Sequence, residues 1–384
     1  MNKRLSFAAG AVTLALTLLV PGTGAAGDTG PWASDTLAGA SADALAVAGY
    51  WSADDDAALR RATPFQPENL QPPFARTTAI RPTGEQGMIA PGHELGYEPP
   101  AEAPEDVVLP KTVGKVFFVD NEGRERWCSA TSIESAHRNV VATAAHCVYN
   151  PAVTGEVMDK WVFVPGYYQG RSPYGIYVGE RVWTHRDFDA DEDYDYDYAF
   201  ANVYNGVRLS SIGQVTQAEY DAHTGAKWTQ DGLHYTAVAQ DMGRLGDKVG
   251  GQGLVYNRQP RDVVYTFGYP GGPDLDGSSP WTGVTMKWSF GKLDARYVST
   301  NPATNSADSH VGIKSAFTTG ADGAPMLALY SNTERLGYVT GLVSYFVDQD
   351  SNQRYDLITS AYFDGETGAV YREAAQVATG PVTQ

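Results

Sequence analysis

The sequence has few cysteines and few positive charges. Its 384 residues include two cysteines, Cys128 and Cys147, and 28 Lys and Arg against 45 Asp and Glu, which gives a formal net charge of -17. A metal site built from two cysteines alone would lack ligands, although in an exported protein the two could pair with each other. Phosphate binding needs clustered Lys and Arg, so we predict no nucleic-acid partner and read the acidity as an aid to solubility.

Long apolar runs are also missing beyond the N-terminal region. Lys3 and Arg4 precede a mostly apolar stretch over 5–20, which small residues follow up to Ala26. This order is typical of a secretory signal peptide, and its apolar part is too short to favour a membrane span. No later stretch approaches about 20 uninterrupted apolar residues. We therefore predict a signal peptide over 1–26, no membrane span, and a secreted, extracellular protein.

The region 27–110 has the composition of a pro-segment or Pro-rich linker. Ten of the 22 prolines lie between Pro64 and Pro110. Because proline continues neither a helix interior nor a central strand, we expect this region to be mostly irregular. One helix is predicted within it, since Ser52 and Asp55 form a capping-box pattern that good helix formers continue to Arg61.

After Pro110 the sequence changes to short β-rich runs separated by Gly, Asn and Asp. This spacing favours an antiparallel barrel or sandwich over alternating strands and helices. Ala, Val, Glu and Arg at helical density predict a helix over 365–378. The predicted strands are 114–119, 127–133, 140–144, 161–164, 174–183, 198–203, 262–269, 285–289, 326–330 and 336–346.

Two motifs carry the candidate chemistry. An apolar strand runs into Thr143-Ala144-Ala145-His146-Cys147, and a later loop reads Gly320-Ala321-Asp322-Gly323-Ala324-Pro325. With these motifs the sequence resembles the secreted trypsin-like serine peptidases of bacteria, from residue 114 to about 371. The resemblance implies an all-β peptidase domain over 111–384. It also implies two six-stranded antiparallel barrels of the chymotrypsin type, with the active site in the cleft between them, a C-terminal helix and a mostly irregular N-terminal pro-segment.

The resemblance also implies roles for individual residues. His146 would be the general base, and Asp197 would orient its ring, in preference to Asp193 and Asp195, because a small-apolar strand start follows Asp197 directly. The chain order of His146, Asp197 and position 322 is that of chymotrypsin.

Four further residues take roles from the same resemblance. Cys128 and Cys147 would form a disulfide that brackets the strand leading to the histidine. Gly320 would belong to the oxyanion hole, and Ser344 would bind the substrate backbone.

The nucleophile position is where the pattern breaks, because Asp322 stands where the family has serine. An ionised carboxylate has no hydroxyl proton to give to the imidazole, so we expect serine-peptidase turnover to be abolished. The sequence thus predicts an inactive peptidase homologue, a monomer without cofactors that binds peptides or proteins in its cleft. An active serine endopeptidase whose nucleophile is Ser278 or Ser279 and a structural extracellular protein remain alternatives.

Asp322 admits three interpretations. It could pair with His146 and hold it protonated, contribute to a metal site with the imidazole and Asp197, or be an isolated change in an active lineage. The acidic stretches 187–193 and 348–353 have carboxylates at alternate positions but lack the Gly and Glu that an EF-hand loop needs. We interpret both as solvated loops and predict no metal site.

Overall fold

The computed structural model describes residues 30–65, 74–77, 84–102, 104–150, 155–258, 263–293, 295–299 and 307–383. The predicted signal peptide and four of the ten clustered prolines (67, 72, 73 and 82) lie outside these ranges. No helix within them is both long and apolar enough to cross a bilayer.

The first elements of the described residues form an N-terminal arm, defined here as residues 31–65. It contains strand β1 (Trp32–Thr36), helix α1 (Ser41–Arg61) and strand β2 (Thr63–Pro64). Strands β3 (Phe74–Thr77) and β4 (Gly87–Ile89) follow, and the described part of 90–110 has neither helix nor strand. The described part of 90–110 is thus irregular as expected, whereas the arm is regular and 74–77 and 87–89 are short strands.

Helix α1 corrects the predicted helix start. The helix begins at Ser41, and the predicted start at Ser52 directly precedes an interruption over 53–56, where three aspartates adopt positive φ. The earlier start arises because apolar side chains at helical spacing, including Ala44, Ala48 and Trp51, are buried against the rest of the chain.

A closed six-stranded antiparallel barrel follows. Its strands pair in the closed order β9-β10-β7-β6-β5-β8, and buried Val116, Phe118 and Phe163 contribute to its core. From the arm, β1 pairs antiparallel with β9, and β2 pairs parallel with β6. The strands are β5 (Val113–Val119), β6 (Glu125–Ile133), β7 (Val140–Thr143), β8 (Asp159–Pro165), β9 (Tyr177–His185) and β10 (Ala199–Val203).

A three-stranded sheet between the two halves was not predicted. It has the order β11-β13-β12 and packs against α1, where a side-chain carbon on Gly49 would lie 2.3 Å from the Trp228 ring. The elements here are β11 (Gly206–Val215), β12 (Ala226–Gln230) and β13 (Leu233–Gly243), with short helices α2 (Arg186–Asp191) before the sheet, α3 (Gln217–Ala222) within it and α4 (Leu245–Val249) after it.

The second half contains two sheets around a shared core that includes Val311, Phe317, Met326 and Phe346. The strands are β14 (Gly253–Tyr256), β15 (Val263–Gly268), β16 (Lys287–Lys292), β17 (Ala295–Ser299), β18 (His310–Lys314), β19 (Pro325–Ser331), β20 (Leu336–Leu342), β21 (Tyr345–Val347) and β22 (Leu357–Ala361). One sheet has the order β16-β15-β19-β20-β14-β4, and the other β21-β22-β18-β17-β3.

Helix α5 (Gly365–Gln376) ends this series and begins with a capping box between Asp364 and Thr367. It packs on the barrel, where the Asn202 amide donates to the Ala374 carbonyl at 2.8 Å. The predicted all-β class, with a six-stranded antiparallel barrel and a C-terminal helix, is confirmed. The second half is arranged as a six-stranded and a five-stranded sheet.

Candidate active site

Strand register brings His146 and Asp197 together. Ala199 at the start of β10 pairs with Thr143 at the end of β7, so the turn that follows β7 lies beside the residues that precede β10. Asp197 Oδ2 is 2.8 Å from His146 Nδ1, and Asp197 Oδ1 accepts the His146 backbone N–H at 3.0 Å. Because the Asp197 carboxylate contacts both the backbone N–H and the ring nitrogen Nδ1 of His146, it fixes the orientation of the ring.

Ser344 contacts the carboxylate rather than the imidazole. Its hydroxyl donates to Asp197 Oδ2 at 2.5 Å, and its backbone N–H donates to the Thr359 carbonyl at 2.8 Å. The competing carboxylates point elsewhere: Asp193 accepts the Asp195 N–H, and Asp195 accepts the Ser309 N–H. Of the three aspartates considered, the structure places Asp197 on His146.

The loop over 320–325 is held against the barrel by Ser129. The Ser129 N–H donates to the Asp322 carbonyl at 2.8 Å, and its hydroxyl donates to the Gly320 carbonyl at 2.8 Å. Gly320 and Gly323 have φ of +92° and +75°. A side-chain carbon on Gly323 would lie 2.2 Å from Thr143 Oγ1, so this turn requires glycine for both its conformation and its space.

The Asp322 side chain turns inward between this loop and the imidazole. Asp322 Oδ2 accepts the Gly320 N–H at 2.7 Å, and Asp322 Oδ1 lies 3.4 Å from His146 Nε2. Although this is an ion-pair distance, neither Oδ1 nor Nε2 has a hydrogen-bond partner within the described residues, so their attraction is one of charge. The Gly320 N–H, which an oxyanion hole would offer to a substrate oxygen, is therefore engaged by the protein's own carboxylate.

The imidazole lies between two carboxylates in a fully buried site. His146, Asp197 and Asp322 have no solvent exposure. Burial alone would lower the pKa of His146, but Asp197 and Asp322 together raise this pKa to about 10. Burial likewise opposes ionisation of Asp197, yet His146 and the Ser344 hydroxyl hold the pKa of Asp197 below its usual value. At neutral pH His146 is therefore a cation.

Two aromatic rings lie alongside the imidazole. The centroid of the Tyr194 ring is 6.0 Å from that of His146, with an interplanar angle of 17°. The Phe65 ring, from the N-terminal arm, is 6.3 Å away at 28°. Phe65 is itself only 6% exposed. The contact of Phe65 with His146 was not predicted, because Phe65 lies in a proline-rich stretch far from both motifs.

Cys128 and Cys147 form the predicted disulfide. Within the described ranges, three potential metal-ligand side chains come together at Cys128, His146 and Cys147, and the disulfide occupies both sulfurs. Asp197 and Asp322 contact opposite nitrogens of His146, so they do not converge on one point.

The alternative nucleophiles lie in a surface turn. The Ser278 hydroxyl is 3.4 Å from Asp274 Oδ2, and the Ser278 N–H donates to Asp276. Ser279 is exposed. Neither contact involves an imidazole that could accept a hydroxyl proton.

Lys115 is a second feature that the sequence reasoning missed. Its side chain is buried, with Nζ 3.5 Å from the Trp127 ring centroid and 4.4 Å from that of Tyr167. Burial holds the pKa of Lys115 well below its usual value. Trp127 also packs on Gly320, where a side-chain carbon would lie 2.7 Å from Trp127 Nε1. The sequence feature that could have indicated this burial is the position of Lys115 within the otherwise apolar run of β5.

No protein-family model matches the chain, and no curated protein matches it. Among solved structures, the chain is similar to the protease Anisep from Arthrobacter nicotinovorans, at 23% identity over 71% of this chain and 99% of that one, with a TM-score of 0.49. It is also similar to the thermostable serine protease AL20 from an extremophilic microorganism, at 22% identity over 70% and 98%, with a TM-score of 0.49.

A Glu endopeptidase solved in complex with MPD is 14% identical over 72% of this chain and 96% of that one, with a TM-score of 0.43. At these identities and TM-scores the likeness assigns no activity to the chain.

Proposed function

We propose that the protein is a secreted trypsin-like serine peptidase homologue that binds peptide or protein segments in its cleft without hydrolysing them. It acts as a monomer and needs no cofactor. The observation that carries the proposal is the Asp322 carboxylate, which accepts the Gly320 N–H through Oδ2 and lies 3.4 Å from His146 Nε2.

Asp322 removes three requirements of peptide hydrolysis at once. It supplies no hydroxyl whose proton could pass to His146. It occupies the Gly320 donor that would stabilise a substrate oxyanion. It also helps to keep His146 protonated, and an imidazolium cannot act as a base. Loss of a triad member leaves a rate only about 10³ to 10⁴ above that in water.

The retained parts support peptide binding. His146, Asp197 and Ser344 keep a hydrogen-bonded arrangement beside the loop over 320–325. On the side of β6 that β7 leaves unpaired, Arg126 and Trp127 pair with the chain's own strand β2, and an edge of this kind can hold an extended peptide.

The test is a gain of function. The wild-type protein should neither hydrolyse casein or a peptide library nor react with a fluorophosphonate. Asp322→Ser should react covalently, because it supplies a hydroxyl, frees the Gly320 N–H and removes one of the two carboxylates on His146. Asp322→Asn and Asp322→Ser/His146→Gln are matched controls that should stay unlabelled.

Two results would overturn the proposal. Labelling of the wild-type protein at Ser278 or Ser279 would make it an active serine endopeptidase. An Asp322→Ser protein that is folded but unreactive, even after the covering Phe65 ring is removed, would show that the cleft has lost more than its nucleophile.

A further inference from the structure

The segment Thr63-Pro64-Phe65, here called the strap, lies against the candidate site. It leaves α1 and runs parallel to β6, with Thr63 opposite Arg126 and Pro64 opposite Trp127. The Phe65 N–H then donates to the Trp127 carbonyl at 2.9 Å. The strap is therefore held through backbone pairing, as a peptide added to a sheet edge is held.

The edge that the strap occupies is left open by the barrel. Strand β6 pairs with β5 over 125–131 on one side, but it pairs with β7 only over 131–133 on the other. The backbone groups at Arg126 and Trp127 on that second side thus face the strap. Arg126 also donates to the Thr63 hydroxyl at 2.6 Å. Without the strap, this edge would present unpaired backbone groups.

The strap lies next to Gly320 and His146. A side-chain carbon on Gly320 would be 3.3 Å from Pro64 Cβ, so Pro64 packs against the glycine of the hole. The Phe65 ring lies alongside His146 and meets the Phe118 ring edge-on at 5.2 Å between centroids. A substrate would have to reach the same glycine and the same imidazole.

We propose that the strap is a built-in occupant of a peptide subsite, and that this subsite takes an extended segment in which proline precedes an aromatic residue. The backbone of that segment pairs with Arg126 and Trp127, and its aromatic ring fills the place of Phe65 between His146 and Phe118. This inference rests on the proposed function, because it names the peptide chemistry and the control of the same cleft.

The arm holds the strap at a high effective concentration. Trp51 is fully buried and donates through Nε1 to the Lys160 carbonyl at 2.6 Å. Arg61, adjacent to the strap, donates through Nε to Glu125 Oε2 at 2.7 Å. An external peptide therefore has to compete with a tethered one, and the intact protein binds such peptides weakly.

The experiment compares fluorophosphonate labelling rates of three full-length proteins. Asp322→Ser supplies the reactive hydroxyl, Asp322→Ser/Phe65→Ala removes the covering ring, and Asp322→Ser/Phe65→Leu keeps an apolar side chain in its place as the matched control. We expect the Phe65→Ala protein to react at least about tenfold faster than the other two. Thermal unfolding of each protein shows that it is folded.

A second experiment tests the peptide chemistry. The peptide Arg-Ala-Thr-Pro-Phe, the sequence of 61–65, should slow labelling of the Asp322→Ser/Phe65→Ala protein, while the same peptide with alanine in place of phenylalanine should not. Equal effects of the two peptides, or no effect of either, would overturn the subsite assignment.

The outcomes separate the two proposals. Equal labelling rates in all three proteins would overturn the strap as an occupant and leave the proposed function standing. The absence of labelling in all three would overturn the proposed function itself. If the Phe65→Ala protein is unfolded, Pro64→Gly in the Asp322→Ser background takes its place, because it loosens the strap and keeps the ring. This variant should also accelerate labelling, and an unchanged rate would refute the inference.

Discussion

Asp322→Asn should lower the pKa of His146 while leaving the shape of the site almost unchanged. The amide oxygen can still accept the Gly320 N–H, but the negative charge 3.4 Å from His146 Nε2 is lost. At an effective dielectric constant of about 20, two unit charges at that distance attract by about 5 kcal/mol. Spreading of charge and relaxation reduce this effect, and an opposite charge so close shifts a pKa by about 1 to 3 units.

The same change should make stability depend on pH in a defined direction. In the wild-type protein the pKa of His146 is raised from 6.5 to about 10. The stability that this gives is fully present below pH 6.5 and is lost as pH rises through about 10. Because each pKa unit corresponds to about 1.4 kcal/mol, the variant should be less stable by about 1 to 4 kcal/mol at pH 7. The difference should vanish above the wild-type pKa.

The assays are an NMR titration of the histidine ring signals and urea unfolding at several pH values. His146→Gln identifies the His146 signal, and burial lowers the pKa of His185 to about 4, so its titration falls in a separate range. A wild-type His146 pKa at or below about 6.5, or the same pKa in both proteins, would refute the ion pair.

Two further predictions concern stability. Gly323→Ala and Gly123→Ala both place alanine at positive φ, but only Gly323 has backbone and Thr143 atoms within 2.4 Å of the added carbon, whereas Gly123 has open space. In urea unfolding, Gly123→Ala should lose about 1 kcal/mol and Gly323→Ala clearly more; equal losses would contradict the packing. Lys115→Met should be neutral or stabilising at pH 7, since it removes a buried amine whose pKa burial depresses. This gain should disappear above the usual lysine pKa. An unfolding free energy lower than wild type by more than about 1.5 kcal/mol would show that the Trp127 and Tyr167 rings around Lys115 Nζ favour the cation.

The sequence predicts those features that local patterns encode. The barrel strands follow from short β-rich runs, and helix α5 follows from residues at helical density. The disulfide and the glycine frame around Asp322 are implied by the resemblance to trypsin-like peptidases. The strap and the burial of Lys115 depend on contacts between residues far apart in the chain, which no local pattern reports. The start of α1 was missed because the buried face of its alanines is weakly apolar, while the Ser52 pattern resembles a helix cap.

The sheet over 206–243 was missed for a related reason. Leu233–Gly243 alternates along β13, but many of its side chains are partly exposed, so the apolar signal of a buried strand is weak. The sheet packs against α1 through Trp228 and Gly49, a contact between residues far apart in the chain that no local pattern reports.

Helix α5 has a consequence for how the chain folds. It covers barrel residues that come much earlier in the sequence, since Asn202 and Ala374 are hydrogen-bonded across 172 positions and the Tyr371 ring meets Phe200 edge-on. Contacts of such long sequence separation slow folding, because the intervening loop must close before they form. We therefore expect this wall of the barrel to stay uncovered until the chain up to residue 376 can pack on it. A chain interrupted before Gly365 would leave Phe200 uncovered and prone to aggregate.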